Sequence, residues 1–180
     1  MERNLTHVAL FAALIAGLGL IPKFTLAFGV PITAQTLGVM LAGTVLGAKR
    51  GALACLLFIV LVALGLPLLA GGRGGLGVFA SPTVGFLVGW PVAAFVTGFI
   101  VERWRGNLAL VSAIASVIGG ILVLYVFGVL GMSVTLGKSI PEATLLVTAF
   151  IPGDVIKAVL AGLITSALAR SRPASLLSRG

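Results

Sequence analysis

The chain has 180 residues, of which 59% are hydrophobic and only 9% charged, with a formal net charge of +8 and a mean hydropathy of +1.25. A water-soluble core of this length has no use for that much apolar surface, so a membrane protein is expected, and the basic residues, clustered between apolar runs, meet anionic headgroups rather than nucleic acid. One cysteine, Cys55, and one histidine, His7, leave a disulfide framework, a metal site and histidine-based catalysis without their usual equipment, and no cofactor is expected.

Apolar spans of roughly 17–25 residues divide the chain into six transmembrane helices in one domain, residues 1–180. The first runs from Leu5 to Ile21 and stops at Pro22-Lys23; the second runs from Ile32 to Gly47 and closes at Lys49-Arg50. The third covers Gly51 to Leu69 and gives way to Gly71-Gly72-Arg73-Gly74-Gly75-Leu76-Gly77, which predicts an irregular loop. The fourth opens at Pro82, suited to a first helical turn, and ends at Glu102-Arg103-Trp104-Arg105. The fifth covers Asn107 to Leu130, and within the mixed stretch that follows, Glu142 to Phe150 is too short to cross and reads as a loop helix or re-entrant piece. The last begins near Pro152-Gly153-Asp154 and ends at Ala169, before a basic tail. The 25 glycines read as packing devices, because small residues let helices approach in lipid.

Loop charges predict the orientation. With the N-terminus inside, the cytoplasmic side carries Arg3, Lys49, Arg50, Arg103, Arg105, Arg170, Arg172 and Arg179, against Lys23, Arg73 and Lys138 outside. Both termini are therefore expected in the cytoplasm, and an uncleaved first helix is favoured over a signal peptide because no small-x-small site precedes the second span. The longer loops, 22–31, 71–81 and 131–152, all fall outside, a layout that predicts outer loops capping a binding pocket.

Asp154 and Lys157 are the most informative residues. Three helical steps place them about 60° apart on one face, at the outer end of the last span, and ionisable groups at that depth are costly and functional by default. Two readings stand: a ligand-binding pair, or a helix cap with a local ion pair. A membrane enzyme is disfavoured, since no nucleophile sits beside a base; a purely structural subunit would leave the pair idle. No G-x-x-x-x-G-K-[ST] motif is present, so uphill transport would need energy from elsewhere.

Several segments, in their order and spacing, carry a resemblance: Ala9-Leu-Phe-Ala-Ala-Leu-Ile-Ala16, Ile32-Thr-Ala-Gln-Thr-Leu37, Gly65-Leu-Pro67, the glycine loop at 71–75, Ser81-Pro-Thr-Val-Gly-Phe-Leu-Val-Gly89 and Pro152-Gly-Asp-Val-Ile-Lys157. Together they resemble the BioY family, the biotin-specific substrate-binding (S) components of energy-coupling-factor (ECF) transporters in the bacterial cytoplasmic membrane. The resemblance implies a six-helix fold with an outward biotin pocket, in which Asp154 and Lys157 contact the ligand; an S component for another vitamin is the alternative. Where the family pattern reads Gly-Pro-Thr-Gly-Gly-Tyr, this chain has Ser81-Pro-Thr-Val-Gly-Phe86, and so lacks a tyrosine hydroxyl there.

The remaining substrate-binding candidates are Gln35 and Thr36, Arg73, Thr83 of the Ser81-Pro-Thr segment, and Tyr125. Gln35 reads either as a ligand contact or as a bond to a neighbouring helix, and Tyr125 either as a donor to biotin or as an interfacial anchor. Trp90 reads as packing and Trp104 as part of the inner aromatic belt. Ala9, Ala13 and Gly17, with Ala12 and Ala16, build a small-residue stripe on the first helix. It serves either packing within the chain or, as the resemblance implies, docking of a transmembrane coupling subunit driven by two ATPase subunits.

Overall fold

In lipid a spanning segment has no water to pair its N–H and C=O groups, so apolar runs close into helices. The computed structural model describes residues 2–25 and 31–179, with the side chains of residues 4–23 and 32–179. Its helices are α1 (Glu2–Leu18), α2 (Gln35–Leu46), α3 (Ala48–Ala63), α4 (Val84–Arg103), α5 (Leu108–Val117), α6 (Leu124–Leu136), α7 (Ile140–Val147) and α8 (Ile151–Ser171). A π-helical turn, Ile118–Val123, joins α5 to α6 in one rod, so six spans result: α1, α2, α3, α4, α5–α6 and α8. The stretches Val84–Arg103, Leu108–Leu136 and Ile140–Ser171 are long and apolar enough to cross a membrane, and α1 and α2 are shorter apolar helices. Besides helix, the described residues hold a small antiparallel pairing, β1 (Phe24–Thr25) with β2 (Pro31–Ile32), and an isolated bridge between Leu69 and Arg73. The expected loop 22–31 includes residues 26–30, which lie outside the described residues.

Several boundaries differ from expectation for local physical reasons. The third span starts at Ala48, not Gly51, because Gly47 alone reverses the chain at φ 85°, a conformation costly for any side chain. Glu102 at the end of α4 then caps the new helix, its Oε1 accepting from Ala48 N at 2.9 Å. Lys49 and Arg50 consequently sit on the first turn of α3 rather than in a loop. That helix also stops at Ala63, so Leu64–Leu69 extend the glycine loop, which is irregular except for a 3-10 turn, Leu76–Ala80. The fourth span opens at Val84, with Pro82 in the preceding turn, and the fifth continues to Leu136, beyond the expected Leu130. The expected loop helix is α7; Ser139 precedes it, its backbone N and hydroxyl both donating to Glu142 Oε2 at 2.8 and 2.7 Å.

Helices α2 and α4 form the centre. α2 packs against α1, α3, α4 and α8, and α4 against α2, α3, α5 and α6. Nearly all of α2 is buried, from Gln35 to Leu46, and its Thr44 hydroxyl meets that of Thr165 on α8 at 2.8 Å, satisfying two polar groups between helices.

The two ends of the bundle differ. At one end the tail folds back: Leu177 N and Ser178 N both donate to Val45 O, and the Ser178 hydroxyl donates to Thr44 O at 2.6 Å. Arg50 lies at this end beside both Leu177 and Asn4, which brings the tail and the start of α1 together. The start of α8, Lys23 and Arg73 lie at the other end, around a cavity.

Candidate functional site

The cavity opens where α2, α4 and α8 begin and the loops at 64–83 fold over them. It encloses about 580 Å³ including its open mouth. Its lining divides by chemistry: Thr33, Gln35, Thr36, Arg73, Thr83, Asp154 and Lys157 give the polar groups, and Ile32, Leu69, Phe86, Leu87, Trp90 and Phe150 the apolar ones. Six of the seven expected substrate-binding residues therefore share one cavity, and the seventh, Tyr125, touches it through Asp154.

Asp154 organises the polar wall. It lies in the first turn of α8, where the helix dipole favours a carboxylate, and is only 5% exposed. A buried charge is tolerable when paired and hydrogen-bonded, and both conditions hold. Oδ1 accepts from Lys157 Nζ at 2.8 Å and from the Thr36 hydroxyl at 3.2 Å, while Oδ2 accepts from the Tyr125 hydroxyl at 2.8 Å. Lys157 Nζ also donates to Thr36 Oγ1 at 2.9 Å. Tyr125 thus reaches inward from α6 to a charged partner, its ring held edge-on to Phe86 at 6.3 Å. The arrangement is both an ion pair and a fixed display: an ammonium has three donors, and Lys157 uses two here.

Gln35 has a different part. It is 1% exposed, with Nε2 donating to Ile15 O and Leu68 O at 3.1 Å each and Oε1 accepting from Ala70 N at 3.0 Å. Both amide donors are thus spent on main chain, tying the end of α1 and the glycine loop to the start of α2. Beside it Arg73 is half-buried, held by a Leu69–Arg73 bridge and by its Nε donating to Ala70 O at 3.5 Å. Burial lowers its pKa from the ordinary value, yet a guanidinium remains a cation. Across the mouth the Ser81 hydroxyl donates to Val78 O at 2.6 Å, so at the 2.7 Å contact of Ser81 with Thr83 it is Thr83 that donates, leaving lone pairs on Thr83 Oγ1.

The residues missed from sequence are the apolar half. Trp90, expected as packing, lines the cavity while its ring also meets Phe58 at 5.5 Å, and its buried indole N–H has no acceptor among the described residues. Phe86 packs against Phe150 at 5.7 Å. A signal existed: Thr83, Phe86, Leu87 and Trp90 are spaced i, i+3, i+4, i+7, one face of a helix. That so apolar a helix turns this face to a cavity rather than to lipid is invisible without its neighbours.

The expected stripe on α1 splits in two. Ala12 is buried and Ala16 packs against the core, whereas Ala9, Ala13 and Gly17 are exposed at i, i+4, i+8. Both readings of the stripe thus have residues, with Ala12 and Ala16 used inside the chain. Among the described residues no group of His, Cys, Asp and Glu is placed to hold a metal.

Comparison with known proteins agrees with this architecture. The BioY family model matches residues 2–174. The chain is 54% identical to the biotin transporter BioY of Rhodobacter capsulatus over the whole of both chains, and 55% identical to that of Rhizobium etli over 92% of each. It also superposes on the crystal structure of the S-component for biotin from an ECF-type ABC transporter with a TM-score of 0.89, at 30% identity, covering 94% of this chain and 92% of that one. These relatives are transporters, not enzymes, and the superposed fold is the six-helix arrangement described above. With the family model covering nearly its full length, the chain belongs to the BioY family.

Proposed function

We propose that the chain captures biotin in this cavity and serves as the S component of an ECF transporter in the bacterial cytoplasmic membrane. The observation that carries the reading is the cavity itself, which joins a fixed Asp154–Lys157–Thr36–Tyr125 cluster to an aromatic wall. Biotin offers a ureido group with two N–H donors and one acceptor, a thioether ring and a carboxylate. A carboxylate and the free lone pairs of Thr83 suit the ureido N–H groups, Lys157 and the unpaired indole N–H of Trp90 suit its acceptors, and Phe86 and Phe150 suit the ring. Arg73 at the mouth attracts the anionic end of the ligand. Gln35 acts in this reading by holding the loop and helix ends that shape the site.

The cavity faces outward and both termini face the cytoplasm. The excess of Lys and Arg at the end holding the tail supports this orientation. The exposed row of Ala9, Ala13 and Gly17 docks the transmembrane coupling subunit, which two ATPase subunits drive; an added Cβ at Gly17 would meet nothing within the chain.

Isothermal titration of the purified protein with biotin tests the capture role. One-to-one binding that Asp154→Asn and Lys157→Ala both abolish supports it. Absence of heat with biotin, together with binding of another vitamin, transfers the role to that ligand.

A further inference from the structure

The end of the bundle opposite the biotin cavity holds a second groove that the capture role does not use. It lies between the start of α3, the last turns of α4 and the folded-back tail, and encloses about 980 Å³ including its open mouth. Its lower wall is apolar: Phe95 and Phe99, about two-fifths exposed, stack with ring centroids 6.3 Å apart. Lys49, Arg50, Arg103 and Arg105 line the same groove.

Among the described residues the charges of this groove are not balanced from within. Among the described residues that line it the one carboxylate, Glu102, caps the backbone of α3. Among the described residues none of the four cations forms an ion pair; the salt bridge of Lys157 with Asp154 is at the other end. Arg50 donates Nη1 to the carbonyls of Leu46 and Leu177. The Arg103 guanidinium lies over the Phe99 ring, 4.8 Å from its centroid, which occupies its face and leaves its N–H edge free for a fork onto an anion. Nearby Arg179 spends both terminal nitrogens on the carbonyls of Trp104 and Gly106, adding positive charge without an acid. Its pKa is lowered, by burial first and then by Arg105, as expected where like charges crowd.

We propose that this groove binds an anionic phospholipid, its phosphate held by Lys49, Arg103 and Arg105 and an acyl chain laid along Phe95 and Phe99. The polar rim supplies the charge that the lipid lacks, and the apolar wall below it supplies what a free phosphate would have no use for.

The test is native mass spectrometry of the full-length protein equilibrated in mixed micelles with equal amounts of phosphatidylglycerol and phosphatidylcholine. Phosphatidylglycerol adducts should dominate about tenfold, given the attraction each basic residue exerts near an anionic surface. Arg103→Gln/Arg105→Gln should remove most of that preference, and Arg170→Gln/Arg172→Gln, which removes the same charge from the same end outside the groove, should leave it in place. Equal adducts of both lipids on the wild type overturn the proposal without recourse to a variant. So does equal loss in the two double variants, which would mark a diffuse surface charge, and so does displacement of the lipid by added inorganic phosphate, which would make the ligand a soluble anion.

Discussion

The two ends of this bundle handle charge in opposite ways. At the cavity, a buried Asp154 and a partly buried Lys157 neutralise each other, with Thr36 and Tyr125 fixing their geometry. At the tail, cations outnumber acids and lie on the rim, held by carbonyls or an aromatic ring instead of carboxylates. A charge that must wait in a low-dielectric site for a small ligand needs an internal partner, because desolvation is otherwise prohibitive. A charge at the headgroup level remains hydrated and can be left for the membrane to balance.

Substitutions should therefore be severe at the first end and mild at the second. Asp154→Asn strands a partly buried ammonium, and breaking such a pair costs up to about 3–5 kcal/mol. The expected result is biotin binding weakened by at least two orders of magnitude and a clearly lower melting temperature. Combining it with Lys157→Met should restore thermal stability but not binding; if binding also returned, the pair would be only a structural strut. Gln35→Leu leaves three main-chain groups unpaired, two of them in buried bonds, at up to about 1–3 kcal/mol each. It should lower the melting temperature while the remaining folded protein still binds one biotin, which calorimetric stoichiometry reads out.

Smaller effects sharpen the contrast. Tyr125→Phe removes one charge-assisted hydrogen bond that the unliganded fold already contains, about 1.5–3 kcal/mol, and should lower the melting temperature while also weakening biotin binding by loosening Asp154. At the other end Glu102→Gln exchanges an anionic cap on Ala48 N for a neutral one, about 1 kcal/mol at most, seen as a small shift in melting temperature. Ala13→Leu should leave folding and binding within about 0.5 kcal/mol of wild type, since the side chain is exposed. Only recovery of the coupling subunit in a pull-down should fall; undiminished recovery would remove this row from the docking surface.

The polar half of the site was legible in the sequence because ionisable and hydrogen-bonding residues are rare in apolar spans, so each stands out singly. The aromatic half was not, because Trp90, Phe86 and Phe150 are ordinary residues in an apolar chain and only their neighbours distinguish a cavity wall from a lipid-facing one. Gln35 illustrates the intermediate case: an amide in an apolar span must find hydrogen-bond partners, and three main-chain groups distant in sequence turned out to supply them.

By itself the sequence determined that the chain lives in a membrane as six helices and that Asp154 and Lys157 share one helical face, because hydropathy, span length and helical periodicity are local properties. Tertiary structure decided that Ala12 turns inward while Ala13 turns outward, that a single glycine suffices between α2 and α3, and that Tyr125 serves Asp154 from another helix. Each depends on how helices rotate and approach one another, which is set by packing between segments far apart in the chain.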